Sequence, residues 1–316
     1  MKNSKILQHI LADKEFIEDE LYNGDDVIEN LIQSYTEHLI KTGQIKLEKM
    51  VQDKTFIKKK FVNLDRLRNN YMDYLADSAP ALKPKNKSRT NYIGIELECF
   101  TRYDRFDLIE RITELGLNKI VQADGDGSIE PDFGDDCELR ILLPEKQLTT
   151  GLKKISKLLT KGKFGVNDTC GLHIHIDMRN RDVNKCYERL IKFQDILFGM
   201  VEKERRSNSY CKFATDQNKF DRYVAINKEM AYSQHKTIEI RLHHATLDLK
   251  RIEQWIKLLL KVISSTTPPP QETKAAVLKW GKKQKGLGRY IAKNFDDNWF
   301  NEKKQRVAVG MGGDWD

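Results

Sequence analysis

Three pairs of polar side chains, each set two residues apart in an apolar stretch, have the types and spacing that could do chemistry. They are Glu96 and Glu98, His173 and His175, and Glu239 and Arg241. Residues two apart on a β-strand point to the same face, so each pair would share one side of a strand whose other side is apolar. Buried carboxylates that lie close together need a cation between them. Because carboxylates suit Mg²⁺ or Mn²⁺ and arginine binds phosphate through two parallel hydrogen bonds, the pairs predict a site for divalent ions and a polyphosphate.

Each pair also has a purely structural interpretation. The two acids could form salt bridges on an exposed strand face, the histidines could be satisfied core residues, and the third pair could be a cross-strand ion pair. A fourth acid, Glu138, lies in the apolar stretch CELRILLP and could pair with Arg140 instead of an ion. The combination of four acids, two histidines and an arginine favours a site that transfers phosphoryl groups or uses ATP to activate an acid.

Residues 123–130 (ADGDGSIE) look like the middle of a calcium-binding EF-hand loop. The first ligand position would be Gln122 and the twelfth would be Phe133, and neither side chain can take its part in such a loop. We therefore expect a tight turn near the site, with Asp126 and Ser128 facing it.

The elements that must position these residues are short strands mixed with helices. Alternating or apolar runs predict strands at 91–100, 117–122, 137–143, 171–178, 221–227 and 236–243. Apolar residues at three- and four-residue steps predict helices at 105–115, 148–160, 183–204 and 248–263. Since strands and helices do not alternate strictly, the pattern indicates an α+β fold with a curved, largely antiparallel sheet.

The segments on either side of this unit differ from it in amino-acid composition, and this difference predicts three domains. Residues 1–90 read as a helical N-terminal extension that ends in a polar, Pro-containing linker, and 91–265 form the catalytic domain. Residues 266–316 comprise a Pro-rich spacer, a basic helical segment and a Gly-rich, flexible tail. Positive charge is concentrated there, because residues 273–306 carry ten Lys or Arg and three Asp or Glu. This segment therefore has a net charge of +7, out of +8 for the whole chain. That segment is either a solvent-exposed helix or a surface that attracts a polyanion.

The bulk composition excludes membrane and secreted disulfide-rich classes. The chain has 316 residues, 39% hydrophobic and 32% charged, with no apolar run of the ~18 residues that a membrane-spanning helix needs and no signal peptide. Five cysteines without a CxxC pair indicate reduced thiols and a cytoplasmic protein. Cys170, three residues before His173, is a candidate thiolate, but nothing else supports a cysteine-hydrolase framework.

The order of the motifs resembles a known family. GIELE, DGS, CEL, CGLHIHID, RYVAIN, TIEIR and HATLD follow one another between residues 94 and 248. This order resembles the phage and bacterial amidoligase family, which is similar to glutamine synthetase and glutamate–cysteine ligase, and the resemblance covers about 91–262. It implies a glutamine-synthetase-like sheet with helices on one face, and an ATP-dependent carboxylate–amine ligase that uses Mg²⁺ (or Mn²⁺).

The resemblance also implies a role for each matching residue. The implied metal ligands are Glu96, Glu98, Glu138, His173 and Glu239. The implied catalytic residues are Arg241, His175 and Glu239, and those near the nucleotide are Arg241, His175, Arg222, Asn227 and Ser128. Tyr223 and Thr246 also fall at matching positions. In the implied mechanism a substrate carboxylate attacks the γ-phosphorus of ATP, and an amine then displaces phosphate from the acyl phosphate.

Two alternatives remain from other classes of protein. A metal-dependent hydrolase or other phosphotransferase could use the same residues, and a hydrolase of this kind would prefer zinc and ignore ATP. A non-enzymatic nucleic-acid-binding or virion-associated protein could use the basic residues 273–306. Under the ligase hypothesis the partners are ATP, a carboxylate and an amine, each from a small molecule, peptide or protein, and a homo-oligomer is compatible with the family. We expect no membrane partner, and nucleic acid only under the second alternative.

Overall fold

The computed structural model describes residues 82, 90–206, 208–216, 218, 221–233 and 235–308. They belong to one of the two units into which the chain divides, Pro80–Asp316. The helical extension predicted for residues 1–77 and the end of the Gly-rich tail lie outside the described residues. Within the described part of the chain, no helix is both long and apolar enough to cross a membrane.

Seven strands and nine helices make up the part of the chain that the structure describes. The strands are β1 (Tyr92–Thr101), β2 (Val121–Asp124), β3 (Asp135–Pro144), β4 (Phe164–Gly165), β5 (Gly171–Asp177), β6 (Ile226–Asn227) and β7 (Thr237–His244). The helices are α1 (Arg105–Glu114), α2 (Leu148–Ile155), α3 (Val183–Lys192), α4 (Gln194–Phe198), α5 (Lys203–Arg206), α6 (Leu249–Ile263), α7 (Lys274–Lys283), α8 (Gly288–Asn294) and α9 (Asn298–Ala308). Short 3-10 turns lie at Glu145–Gln147, Ser209–Cys211 and Glu229–Ala231.

The strands form one open sheet in the order β2-β3-β1-β5-β7-β6, and β4 pairs with the end of β1. Every pairing between these strands is antiparallel. This confirms the predicted mixed fold with a mostly antiparallel sheet. The long strands β1, β5 and β7 are neighbours, so the three polar pairs predicted from the sequence lie on adjacent strands.

The strand expected at 117–122 is β2, which begins only at Val121, and the helix expected at 148–160 ends at Ile155. Two further elements differ from the prediction for local reasons. The strand expected at 221–227 is reduced to β6, because the Asp221 carboxylate accepts the backbone N–H of Tyr223 and holds a turn there. The helix expected at 183–204 is broken into α3, α4 and α5. The buried guanidinium of Arg206 donates to the carbonyl oxygens of Phe198 and Val201, which a continuous helix would have satisfied itself.

One face of the sheet is apolar and packs under helices. Leu97, Leu139, Ile174 and Ile240 have no exposed surface. Helices α2 and α6 contact each other on this side, and the ring of Trp255 in α6 lies 5.1 Å from that of His243. Burying each such aliphatic side chain contributes about 1.5–3 kcal/mol, which is why alternate residues of these strands are free to be polar only on the other face.

The C-terminal helices share this hydrophobic core. Trp299 of α9 is fully buried and stacks on Phe198 of α4, with ring centroids 5.3 Å apart. Val277 and Ile291, from α7 and α8, have no exposed surface either. The basic residues of this segment therefore lie on helices whose other sides are packed.

An ion-pair cluster on the helical side predicts an acid-sensitive contribution to stability. The Glu202 carboxylate contacts His244 Nδ1 at 2.6 Å and also binds Arg251. Burial opposes its ionisation, but the hydrogen bonds from His244 and Arg251 prevail and lower its pKa to about 2. A lowered pKa stabilises the fold above the ordinary glutamate pKa of about 4.3, and this contribution fades as the pH falls towards 2.

We therefore expect Glu202→Gln to lower the Tm clearly at pH 7 and much less at pH 3. Thermal unfolding of both proteins at the two pH values measures the difference. An equal loss of Tm at pH 7 and pH 3 would show that the Glu202 charge does not stabilise the fold.

Candidate active site

The polar face of the sheet brings the acidic and histidine pairs together through strand register. Glu96 on β1 lies opposite His173 on β5, and His175 lies opposite Glu239 on β7. His173 Nδ1 is 3.1 Å from Glu96 Oε2, and His175 Nε2 is 3.2 Å from Glu96 Oε1. His173 Nε2 is 3.2 Å from Glu98 Oε1. The two imidazoles therefore lie among the carboxylates of three strands.

The third pair joins the same cluster from β7. Glu239 Oε1 is 3.9 Å from His173 Nδ1 and 4.0 Å from His175 Nε2. Arg241 Nη1 donates to the same carboxylate oxygen at 2.6 Å, and Arg241 Nε donates to the carbonyl oxygen of Tyr210 at 3.2 Å. The Glu239–Arg241 ion pair that the sequence allowed is thus present, and it is part of the site.

Two groups within this cluster have the geometry to hold a metal ion. The first group is Glu96, His175 and Glu239, and the second group is Glu98, Asp126 and Glu138. In each group one ligand atom per residue lies within 4.8 Å of the others. Five carboxylates and one imidazole favour hard divalent ions such as Mg²⁺ or Mn²⁺ over zinc, which prefers nitrogen and sulfur ligands.

His175 offers a lone pair that such an ion would use. Its Nδ1 is 3.2 Å from Thr237 Oγ1, whereas its Nε2 is buried and makes no well-directed hydrogen bond to any described residue. A histidine whose Nδ1 is held by a hydrogen bond presents Nε2 to a metal. His173, which the family resemblance assigns to the metal, lies between the two groups, with one ring nitrogen facing Glu96 and the other facing Glu98.

The pKa shifts reflect the crowding of charge. Burial opposes the ionisation of Glu96, but the charge of His175 and the hydrogen bond with His173 prevail and hold its pKa below the ordinary value. Burial and the charge of Glu96 raise the pKa of Glu138 despite the neighbouring Arg140. Burial disfavours the charged form of His175, yet Glu96 raises its pKa. A divalent ion would relieve the mutual repulsion of the carboxylates.

Further ion pairs support the second group from the edge of the sheet. Arg140 Nε lies 2.6 Å from Glu138 Oε1, and Arg140 Nη1 lies 3.1 Å from Asp124 Oδ2. Arg105 Nη2 contacts the other oxygen of Asp124 at 3.1 Å. Glu138 is therefore both the partner of Arg140 and a member of a candidate ion site, so the two interpretations of this residue are compatible.

The turn at residues 124–128 presents Asp126 to the second group. Its backbone N–H donates to Asp136 Oδ2 at 2.6 Å, and its Oδ1 accepts the Ser128 hydroxyl at 2.7 Å. Ser128 is exposed and supports the turn. Whether it also meets a nucleotide, as the resemblance implies, stays a prediction.

The other residues near the predicted nucleotide site surround Arg241. The Tyr223 ring lies 4.9 Å from the Arg222 guanidinium and 5.9 Å from that of Arg241. Asn227 on β6 pairs in register with Glu239 and is buried, and its Oδ1 accepts the Glu229 N–H at 2.9 Å.

Thr246 and Cys170 have local roles. Thr246 Oγ1 accepts the Asp248 N–H at 3.2 Å just before α6. Cys170 is fully buried, and burial raises its pKa, which disfavours a thiolate nucleophile.

Gly171 leaves room for the side chains of the site because it has no side chain of its own. Its N–H donates to Glu98 Oε2, and a Cβ there would lie 3.0 Å from both Glu98 Oε2 and His173 Nε2. We expect Gly171→Ala to weaken Mn²⁺ binding by ~10-fold, since displaced ligands or supporting residues commonly cost 10–100-fold. Titration calorimetry with Mn²⁺ measures this. Gly127→Ala is the matched control because its Cβ would meet nothing within 4 Å, and equal affinities of the two variants would contradict the expectation.

Sequence reasoning missed Arg205, which is 4% exposed and whose Nη2 would lie 3.3 Å from a Cβ at Gly171, beside Glu98 and His173. Its Nη2 donates to the Arg241 carbonyl at 2.8 Å, and its Nε donates to that of Leu242 at 3.4 Å. These carbonyls lie where β7 bulges against β5. The run KERR (203–206) looks like a solvated basic helix, and no pattern in the sequence marks its third residue as buried.

The comparison with known families agrees with this arrangement. Residues 141–219 and 213–263 match the family model described as "Putative amidoligase enzyme". The match includes β5 and β7, with both histidines, Glu239 and Arg241, and begins after Glu138. The match supports an amidoligase family for residues 141–263. No curated protein matches the chain.

Proposed function

We propose that the protein is an ATP-dependent carboxylate–amine ligase that forms an amide bond through an acyl phosphate. The observation that carries the proposal is the pair of candidate ion groups on one sheet face, joined through Glu96, His173 and Glu98 and flanked by Arg241. The family match over residues 141–263 supports an enzyme of the ligase kind. The ATP, the ions and the substrates are the parts that this proposal adds.

The charge of the site explains why the ions belong to the proposal. Five carboxylates, from Glu96, Glu98, Asp126, Glu138 and Glu239, converge on a surface where arginine supplies only partial compensation. A triphosphate brought to this surface alone would be repelled. Mg²⁺ or Mn²⁺ held by the two groups would neutralise the phosphate oxygens and orient the chain of phosphates.

The residues of the chain have distinct parts in the proposed reaction. Arg241, placed beside the first group by Glu239 and the Tyr210 carbonyl, stabilises negative charge on the transferred γ-phosphoryl group. His175, in the first group, assists this stabilisation of negative charge. His173 holds Glu96 and Glu98 in place between the groups. A substrate carboxylate oxygen attacks the γ-phosphorus and ADP leaves. The amine then attacks the acyl carbon, and phosphate leaves with the formation of the amide.

The zinc-hydrolase alternative fits the donor set less well. Each candidate group has at most one imidazole, and the remaining ligands are carboxylate oxygens. Zinc sites of hydrolases usually combine two or three histidines with an open position. The geometry therefore does not favour a second function at this site.

Trapping of the acyl phosphate by hydroxylamine tests the proposal. Hydroxylamine replaces the amine substrate and attacks the acyl phosphate, which releases phosphate and leaves a hydroxamate that added ferric iron makes visible, so only the carboxylate needs to be surveyed. Amino acids, short peptides and peptidoglycan fragments are incubated with ATP and Mg²⁺ or Mn²⁺. We expect hydroxamate and ADP in equal amounts for one class of carboxylate, with none in EDTA. Zinc-dependent hydrolysis of a substrate in the absence of ATP, with no hydroxamate formed, would contradict the proposal.

A further inference from the structure

A basic cavity lies on the helical side of the protein, on the opposite side of the sheet from the candidate active site. It is an open cleft with a volume of about 580 Å³, bordered by the turn at Glu145, helix α3, the end of α6 and the segment before α8. Cavities of roughly 300–1,000 Å³ are typical of small-ligand sites. The ligase reaction proposed above does not use this cavity.

Cationic side chains outnumber acidic ones among the residues that line the cavity. The cations that line it are Arg181, Lys185, Arg189, Lys257, Lys261 and Lys285, against two acids, Glu145 and Asp182. Cys186, Leu260, Ile263 and Leu287 provide an apolar part of the lining. The cavity therefore combines a cationic wall with an apolar surface, which suits an organic anion and disfavours a bare inorganic ion.

The cations divide into those that are engaged and those that are available. Arg181 binds Glu145 and the Asp177 carbonyl, and Arg189 donates to the Ile263 carbonyl at 2.6 Å. Lys257 pairs with Glu253, and Lys185 pairs with Asp182. Lys261 and Lys285, by contrast, form no ion pair with any residue that the structure describes, although both line the cavity.

The type of the available cations points to phosphate. A lysine ammonium is a compact point charge that binds phosphate oxygens, and the two arginines of the cavity, whose guanidinium groups match phosphate as well as carboxylate, already bind protein groups. Lys285 belongs to the basic C-terminal segment, and Lys261 belongs to α6. Both lysines are exposed and line the cavity, so one of the available cations comes from the basic segment and the other from α6.

We propose that this cavity binds a small organic phosphate, with its phosphate between Lys261 and Lys285 and its organic part on the apolar lining. The ligand is a separate molecule from the ATP of the proposed ligase reaction. It needs no divalent ion, because the cavity supplies the positive charge itself.

Binding of ADP in the presence of EDTA tests this site, since EDTA removes the ions that the proposed ligase site needs. We expect titration calorimetry with the full chain to show binding of ADP and none of adenosine. The double charge reversal Lys261→Glu with Lys285→Glu should weaken ADP binding by at least ~10-fold through loss of two charged contacts. Arg241→Ala, on the other side of the sheet, should leave it within about twofold.

The double variant Lys279→Glu with Lys293→Glu is the matched control. These lysines are exposed on α7 and α8 and do not line the cavity. Their replacement changes the net charge by the same amount as the replacement of Lys261 and Lys285. Equal weakening of ADP binding in both double variants would show a diffuse basic surface and overturn the proposal. Binding of a single-stranded oligonucleotide that is tighter than that of ADP, and that the control variant also loses, would do the same. Absence of ADP binding to the wild type, or its loss in Arg241→Ala, would overturn it as well.

Discussion

Glu96→Gln is expected to abolish ATP turnover, lowering the rate in the hydroxamate assay by at least ~10³-fold, or about 4 kcal/mol of transition-state stabilisation. Glu96 is the residue that links the site, because one carboxylate oxygen meets His173 and the other meets His175. It also belongs to the first ion group with His175 and Glu239. The amide keeps the size of the side chain but removes the charge that would hold the ion.

The same variant should lose tight Mn²⁺ binding, measured by electron paramagnetic resonance. It should remain folded, because the residues of β1 that face the core are unchanged. Glu114→Gln, at the exposed end of α1, is the control and should match the wild type in both assays. Turnover of Glu96→Gln within about tenfold of the wild-type rate, in either metal, would refute the placement of the ion.

Arg241→Ala is expected to lower kcat by 10²–10³-fold, a range typical for the loss of one donor that stabilises transition-state charge. Arg241 is held beside Glu239 by a 2.6 Å contact and by the Tyr210 carbonyl, so its guanidinium lies next to the first ion group. It is not itself an ion ligand. Mn²⁺ affinity should therefore stay within about threefold of wild type while the rate collapses.

Arg241→Lys sharpens this prediction. Lysine keeps the charge but cannot reproduce the two directed hydrogen bonds, so most of the loss should remain. Arg289→Lys on α8, where the side chain is exposed, is the control and should behave as wild type. A loss of Mn²⁺ binding without a loss of kcat at saturating metal would show that Arg241 supports the ions and does not act on the phosphoryl group.

Much of the site could be read from strand periodicity. The alternation of polar and apolar residues in β1 and β5 is regular, and the register Glu96 to His173 follows once the two strands are neighbours. Cross-strand distances of about 3 Å between their side chains are then a consequence of pairing. Period-two patterns are reliable where one face of a strand must be buried, because a shift by one residue would expose the apolar set.

Periodicity could not predict the parts of the site that depend on irregular backbone. In β7, strict alternation would put His243 on the same face as Arg241. The bulge against β5 instead pairs His243 with Leu172 on the core side, where burial lowers its pKa to about 3. Arg205, which holds the carbonyls at this bulge, comes from a distant helix. Such contacts arise from tertiary packing and leave no local pattern.

Loop residues show the same limit. Asp126 was expected near the site from its turn, but its grouping with Glu98 and Glu138 depends on the pairing of β2 with β3 at Asp124. The cavity between α3, α6 and the segment before α8 depends on how helices pack across 140 residues of sequence, from Glu145 to Lys285. Sequence reasoning gave the charge of that segment and not its partner surfaces.

The most direct test of the central claim is a crystal structure of the protein with Mn²⁺ and a non-hydrolysable ATP analogue, collected at a wavelength where manganese scatters anomalously. We expect one anomalous peak among Glu96, His175 and Glu239, a second among Glu98, Asp126 and Glu138, and the triphosphate in contact with both and with Arg241. Manganese found elsewhere, or a nucleotide seated away from this face of the sheet, would contradict it.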